Sequence, residues 1–205
     1  MFKRNLMKKF LKLLVLPALV ALTISCGQNA SKQNAAAVSG ETAEITSATD
    51  STKADDRGYI VKVGDMVPEF DLHLLDGTKL PISSLKGKVV MLQFTASWCG
   101  VCRKEMPHIE KDIWQKHKDN KDFVLIGVDR DEPLDTVVEF GKAVGVTYPL
   151  ALDPGADIFA KYALRESGIT RNVLIGRDGK IVMKTRLFKE EEFKGLCDKI
   201  DEMLK

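Results

Sequence analysis

KVVMLQFTASWCGVCRKEMP, from Lys88 to Pro107, is the stretch of this chain that decides the fold. The apolar, β-branched run at 89–94 predicts a strand, and the residues after the cysteines predict a helix. A C-x-x-C pair between a strand and a helix places Cys99 at the helix N-terminus, where unpaired N–H groups and the helix dipole favour a thiolate. Cys102 follows one turn later on the same side, close enough to form a short disulfide. The stretch therefore predicts a redox pair in which Cys99 attacks and Cys102 resolves.

A C-x-x-C pair is also half of many zinc sites. Structural zinc needs four ligands, usually supplied by a second C-x-x-C or by paired histidines. The other cysteines and the histidines of this chain are isolated from one another: Cys26, Cys197, His73, His108 and His117. The spacing therefore favours thiol–disulfide chemistry and predicts no metal ligands. Two alternatives stay open, a module that binds or delivers a soft metal such as Cu(I) through the pair, and a binding protein with a purely structural disulfide.

The segment from Phe94 to Pro107 resembles the active-site segment of the TlpA/ResA-type thioredoxin-like disulfide reductases, which are membrane-tethered extracytoplasmic proteins of bacteria. The resemblance extends from about Val63 to the C-terminus and includes VGDMVPEFDL at 63–72, SLKGKVV at 84–90 and VLIGRDGKIV at 173–182. It implies an α/β, thioredoxin-like fold with a central mixed sheet flanked by helices, an N-terminal β-hairpin and a helix–strand insertion. It also implies protein disulfides as substrates, with apocytochromes among them, a membrane-borne electron donor and no cofactor.

The family motif C-x-x-C-x-x-E-x-P is matched by Glu105 and Pro107. The resemblance implies that Glu105 steers proton transfer to and from the thiols. The alternative is an acid in the first helical turn that merely complements the helix dipole. Gln93 stands where plain thioredoxins carry a buried Asp, so any proton relay would depend on Glu105 or on water.

Five residues are predicted to contact a substrate: Trp98, Gly100, Val101, Ile169 and Thr170. Thr170 stands where the family has a cis-proline that faces the disulfide, and this departure affects how a substrate docks. Gly100-Val101 lacks the proline that many reductive members carry before the second cysteine, so the direction of exchange stays open. Trp98 is expected either to shield Cys99 or stack on a partner, or to lie as a lid on the core.

The rest of the chain from Tyr59 predicts scaffold elements around this pair. A β-hairpin is expected at 70–80, a buried parallel strand at 122–129, a helix after Pro133, an extended piece at 146–150, a short helix at 156–162, a hairpin about 177–179 and a last helix from about Lys189. Asp129, Arg130 and Asp131 are expected to form a solvated loop rather than a metal or phosphate site. Cys197 lies on the apolar stripe of the last helix and is expected to be a buried structural thiol.

The N-terminus predicts export. Five Lys or Arg residues precede an apolar run at 13–24, which is shorter than the roughly 18 residues that a spanning helix needs. Ser25-Cys26 suggests a lipoprotein signal at 1–25, with Cys26 as the lipidated residue and ordinary signal cleavage as the alternative. Residues 26–58 are rich in small and polar residues and are expected to be a flexible tether, with the folded domain at 59–205.

Charge argues against one class of partner. Without residues 1–25 the formal charge changes from +2 to −3, because the leader holds five basic residues and no acid. Concentrated basic patches with interleaved aromatic residues are not found, so nucleic acid is not expected as a partner. The predicted location is the extracytoplasmic, periplasmic side of the bacterial envelope, with the lipid on Cys26 holding the protein to a membrane.

Overall fold

The computed structural model describes residues 57–205, which form a mixed seven-stranded sheet in the order β2-β1-β5-β4-β3-β6-β7 with helices packed against it. The strands are β1 (Asp71–Leu74), β2 (Lys79–Pro81), β3 (Val89–Thr95), β4 (Phe123–Arg130), β5 (Leu150–Asp153), β6 (Arg171–Ile175) and β7 (Ile181–Arg186). The helices are α1 (Gly100–Ile109), α2 (Gln115–His117), α3 (Leu134–Val144) and α4 (Glu190–Met203). The predicted α/β fold class is confirmed.

Strand β3 lies in the middle of the sheet and leads directly to the cysteine pair. Its seven residues are all buried, as expected for an apolar strand covered on both faces. It runs parallel to β4 and antiparallel to β6, with Thr95 opposite Asp129 and Gln93 opposite Asn172. The register therefore brings polar residues of three strands to the end of β3 that precedes Cys99.

Helix α1 begins immediately after Cys99, whose sulfur accepts a hydrogen bond from the backbone N–H of Cys102 across 3.1 Å. Pro107 lies inside this helix and has no N–H to donate to the preceding turn. A wider π-type turn at Glu110–Trp114 follows α1 and connects it to the short helix α2. The α1 residues that are buried, Cys102, Glu105, Met106 and Ile109, form one face, which packs on the core.

Five scaffold predictions agree with the structure and two differ. The β1–β2 hairpin, the buried parallel strand β4, helix α3 after Pro133, the β6–β7 hairpin and α4 are present. The short helix expected at 156–162 is instead two 3₁₀ turns at Pro154–Ala156 and Phe159–Lys161, because Gly155 and Ala156 have positive φ angles of 71° and 58° that an α-helix cannot contain. The extended piece expected at 146–150 becomes a strand only at Leu150 and continues to Asp153.

The predicted signal at 1–25, the lipid site at Cys26 and the tether up to residue 56 lie outside the described residues. Arg57 pairs with Glu192 of α4 at 2.5 Å, and its carbonyl accepts a hydrogen bond from Arg171. Within residues 57–205, no helix combines the length and the apolar character that crossing a membrane requires.

Candidate active site

Cys99 and Cys102 are joined by a disulfide, with their Cα atoms 5.3 Å apart. Cys99 is 7% exposed and Cys102 is fully buried. Cys99 precedes the first turn of α1, and its sulfur accepts a hydrogen bond from the Cys102 N–H, one of the unpaired N–H groups at the start of that helix. Of the two sulfurs, that of Cys99 is the one an incoming group can reach.

The residue at the family's proline position lies directly against the disulfide. Thr170 Oγ1 is 3.2 Å from Cys99 Sγ and 3.4 Å from Cys102 Sγ. Two residues at and just after the end of β7 hold the backbone of Thr170 in place. Its carbonyl accepts hydrogen bonds from the Leu187 N–H at 3.1 Å and from Arg186 Nη1 at 3.2 Å. A hydroxyl therefore stands where the resemblance implies a proline ring.

The predicted substrate-contact residues surround Cys99 with different exposure. Trp98 is 64% exposed, Gly100 is exposed and Val101 is half-buried, whereas Ile169 is buried beside Thr170. The interpretation of Trp98 as a lid on the core is wrong, because most of its ring faces solvent. An exposed aromatic ring next to a redox sulfur is available to contact another molecule.

Glu105 is buried on the inner face of α1. Asn172 donates a hydrogen bond from Nδ2 to Glu105 Oε1 across 2.7 Å. Burial raises the pKa of Glu105 from its ordinary value of 4.5 to about 7, while the amides of Asn172 and Gln93 lower the pKa and the charge of Glu192 raises it. The interpretation of Glu105 as a first-turn acid that complements the helix dipole is therefore wrong. This carboxyl can exchange a proton near neutral pH.

The polar groups around Glu105 are only partly paired. Asn172 Nδ2 also donates to Thr185 Oγ1 at 2.9 Å, and Gln93 Oε1 accepts from the Tyr148 hydroxyl at 2.7 Å. Among the described residues, Glu105 Oε2, Gln93 Nε2 and Asn172 Oδ1 are buried without a hydrogen-bond partner. The Gln93 amide thus acts on the carboxyl without a fully formed hydrogen bond. The sequence signal for Asn172 was a polar residue inside an apolar strand, but nothing in the pattern named its partner.

Asp129 is a second buried acid near the same end of the sheet. It belongs to β4, and neither of its carboxylate oxygens has a hydrogen-bond partner in the described part of the chain. Burial, together with the nearby carboxyl groups of Glu132 and Asp153, raises its pKa from 3.8 to about 8. The expectation of a solvated loop is wrong for Asp129, because β4 continues to Arg130, whose guanidinium lies 4.6 Å from the ring centre of Phe159.

The loop before Cys99 is held by two charged side chains that the sequence did not single out. Glu132 accepts hydrogen bonds from both the N–H and the hydroxyl of Ser97, each at 2.5 Å. Arg103 Nε donates to the Ser97 carbonyl at 2.7 Å. Ser97 immediately precedes Trp98, so these contacts set the position from which the redox sulfur and the exposed ring are presented.

The metal-delivery alternative finds no support. In the stretch from Arg57 to Lys205, no group of three or more His, Cys, Asp or Glu side chains is arranged to hold a metal ion. Cys197 is half-buried rather than fully buried, a correction to the expectation, because its position on α4 lies at the edge of the packed stripe. Burial raises the pKa of this thiol to about 11, so the thiolate that binds metals is disfavoured.

The comparison with known families decides the relationship, since the Redoxin family model matches residues 62–199. The chain belongs to the Redoxin family. This redoxin is 35% identical over 124 residues to a thiol-disulfide oxidoreductase ResA of Bacillus cereus, covering 60% of this chain and 69% of that relative. ResA of Bacillus subtilis (strain 168) is 31% identical over 122 residues, which cover 60% of this chain and 66% of that relative.

Solved structures agree with this assignment. The solution structure of a candidate protein disulfide isomerase from Bacteroides thetaiotaomicron is 71% identical to this redoxin, with a TM-score of 0.70 over 72% of this chain and 92% of that one. The crystal structure of a candidate thiol:disulfide interchange protein DsbE from Chlorobium tepidum is 28% identical, with a TM-score of 0.62 over 71% and 99%. This redoxin is a TlpA/ResA-type thioredoxin-like thiol–disulfide oxidoreductase.

Proposed function

We propose that this redoxin exchanges disulfides with proteins of the bacterial cell envelope, with Cys99 as the attacking sulfur and Cys102 as the resolving sulfur. The observation that carries the proposal is the disulfide at the start of α1, in which the sulfur of Cys99 is reachable and that of Cys102 is buried. A thiolate at Cys99 is favoured by the N–H groups and the dipole of α1.

In the reductive direction, the Cys99 thiolate attacks one sulfur of a substrate disulfide, and the other substrate sulfur leaves as a thiolate. Cys102 then loses its proton and attacks the Cys99 sulfur, which closes the protein disulfide and releases the second substrate thiolate. Two electrons pass from the protein to the substrate, the proton lost by Cys102 is released, and the two substrate thiolates take up protons according to the pH. The opposite direction follows the same steps in reverse.

Glu105 is proposed as the group that takes the proton from Cys102 and returns it. Both residues lie on the buried face of α1, one turn apart. A carboxyl with a pKa of about 7 is close to the pH at which proton exchange is efficient in both directions. The asymmetric contact with Asn172 leaves Oε2 without a hydrogen-bond partner among residues 57–205, which makes this oxygen available for a proton.

The substrate is proposed to dock on the surface formed by Trp98, Gly100, Val101, Ile169 and Thr170. Trp98 and Gly100 are exposed on either side of Cys99, and Val101 is half-buried in the first turn of α1. Trp98 provides an exposed aromatic surface that a peptide chain can cover. Protein disulfides, including those of apocytochromes, are the substrate class proposed here.

The location is proposed from the N-terminal sequence, with Cys26 carrying the lipid that holds the protein on the extracytoplasmic side of a membrane. Free thiols do not persist in such oxidising compartments unless electrons are supplied. A membrane-borne donor is therefore the partner proposed for reductive turnover.

The experiment that tests the proposal is trapping with Cys102→Ser in the native envelope. This variant keeps the attacking sulfur and lacks the resolving one, so mixed disulfides through Cys99 are expected to accumulate. The matched control, Cys99→Ser, is expected to trap no envelope protein. Equal trapping by both variants, or trapping only through Cys102, would contradict the assigned roles, and the captured proteins would name the substrates.

A further inference from the structure

The hydroxyl of Thr170 lies between the two sulfur atoms of the redox pair. Its Oγ1 is within hydrogen-bond range of both sulfurs, at 3.2 Å from Cys99 and 3.4 Å from Cys102. Thr170 is only 2% exposed, so water competes little for this hydroxyl. A single O–H can donate one hydrogen bond at a time, and rotation about the Cβ–Oγ1 bond is enough to turn it from one sulfur to the other.

The position of the hydroxyl is set by the fold before any reaction occurs. The Thr170 carbonyl accepts from Leu187 and Arg186, and the residue is followed directly by β6. The β-branched side chain of threonine has few accessible rotamers, so the oxygen has little freedom to move away. The donor is therefore preorganised beside the atoms that react.

The strength of this contact depends on the charge of the sulfur. A disulfide sulfur is a weak acceptor, whereas a hydrogen bond to an ionised partner is roughly twice as strong as one between neutral groups. The hydroxyl consequently interacts more strongly with a thiolate than with the disulfide. Interactions that grow as charge develops accelerate the step in which the charge appears.

We propose that Thr170 is a catalytic residue whose hydroxyl donates a hydrogen bond to the thiolate of this redox pair. In the reduced protein, the Thr170 hydroxyl and the Cys102 N–H both donate to the Cys99 thiolate and stabilise it. When an external thiolate attacks the Cys99 sulfur, a new S–S bond forms, the Cys99–Cys102 bond breaks, and the electron pair passes to Cys102 as a thiolate, toward which the hydroxyl turns. The hydroxyl keeps its own proton throughout.

This inference rests on the proposed roles of Cys99 and Cys102, and it goes beyond them because a proline at this position would supply no donor. Its consequence is a reduced form that is stabilised relative to the disulfide, with a lower thiol pKa and a less negative reduction potential. Charged groups on the adjoining elements include Glu105 and Arg103 of α1, the buried Arg171 at the start of β6 and Arg186 of β7. Substitutions at Thr170 leave these groups in place.

The test compares the purified full chain with Thr170→Val, which removes the hydroxyl at nearly constant shape, and Thr170→Ser, which keeps it. Thiolate formation is followed by ultraviolet absorbance against pH, and the disulfide–dithiol equilibrium is measured against glutathione. In Thr170→Val the lower of the two thiol pKa values is expected to rise by about one unit, and the equilibrium to shift about tenfold toward the disulfide, or about 30 mV. Thr170→Ser is expected to stay close to the original protein.

Melting of the oxidised forms checks that each variant folds, and Thr170→Ala provides a second protein without the hydroxyl. A change in thiol pKa and redox equilibrium in Thr170→Val and Thr170→Ala, but not in Thr170→Ser, supports the role of the hydroxyl. Unchanged titration in Val and Ala, or an equal shift in all three, overturns it. These measurements are independent of the trapping experiment. If Cys102→Ser traps substrates but the thiol pKa does not depend on the Thr170 hydroxyl, this inference is wrong and the proposed function stands.

Discussion

Asn172 donates a hydrogen bond to Glu105 across 2.7 Å, and this contact ties helix α1 to strand β6 behind the redox pair. Both side chains are buried, and only one oxygen of the carboxyl is paired within the described residues. Removal from water opposes ionisation more strongly than the two nearby amides favour it, so the acid titrates near pH 7. A residue with this property sits one helical turn from Cys102.

Glu105→Gln is expected to remove a pH-dependent loss of stability. The unfolded chain loses this proton near pH 4.5, whereas the folded chain keeps it to about pH 7, so the free energy of unfolding of the native sequence falls as pH rises through this window. Gln keeps an acceptor for Asn172 and carries no charge. The variant should be more stable than the original by roughly 1–3 kcal/mol above the window and equal to it below the window, as measured by urea unfolding.

The same variant should slow thiol exchange and lose the step near pH 7 in its rate profile. Glu139→Gln, at an exposed position on α3, is the matched control and should change neither measurement. An exchange profile that is identical in Glu105→Gln and in the original would reject the proton-transfer role of Glu105. A stability gain without a change in the profile would mean that the carboxyl is buried but not used.

Asp129→Asn is expected to stabilise the protein at alkaline pH. The folded chain holds the Asp129 proton to about pH 8, against 3.8 when unfolded, so stability falls as pH rises between these values and is level above them. Asn cannot carry the buried charge, so the free energy of unfolding of Asp129→Asn is expected to exceed that of the original by roughly 1–3 kcal/mol above this pH range. Near the lower end of the range the two proteins should be equally stable. Asp135→Asn, at an exposed site on α3, should change stability by no more than about 0.5 kcal/mol. Equal pH dependence of unfolding in the original and in Asp129→Asn would contradict the raised pKa.

Trp98→Ala should separate protein substrates from small ones. Because 64% of the residue is exposed, its loss should change the free energy of unfolding by less than about 0.5 kcal/mol. Exchange with a protein disulfide such as that of insulin should slow several-fold, since the exposed ring is part of the proposed docking surface, while reduction of a small disulfide should be unaffected. Leu134→Ala, another partly exposed apolar residue, serves as the control. An equal slowing with both substrates would assign Trp98 to the environment of Cys99 instead.

Cys26→Ala tests the proposed anchor. The original protein should partition with membranes and carry a lipid on Cys26, and the variant should be released or left unprocessed. Fractionation and mass spectrometry of the N-terminal peptide measure both properties. A mature chain that is freely soluble, unmodified and begins at another residue would remove the tether from the proposal while leaving the redox chemistry intact.

Much of the fold follows from local patterns in the chain. Local sequence is enough to predict three of the elements: strand β3 from its apolar run, the hairpin from Asp178-Gly179, and helix α4 from the spacing of its apolar residues. The 3₁₀ turns that replace the expected helix at 156–162 show where this fails. Positive φ angles at Gly155 and Ala156 are set by the path of the chain between β5 and β6, which the apolar spacing does not encode.

The sequence by itself determined the redox pair, its place at a helix N-terminus and the identity of the acid that follows it, because these depend on residues within one short stretch. Only the tertiary structure decided that Glu105 is buried against Asn172, that Asp129 is enclosed instead of solvated, and that the Thr170 hydroxyl reaches both sulfurs. Thr170 lies 71 residues from Cys99 and Asn172 lies 67 from Glu105. Desolvation and hydrogen bonding at such separations arise when distant strands and helices pack together, so the chemistry of these groups is a property of the folded chain.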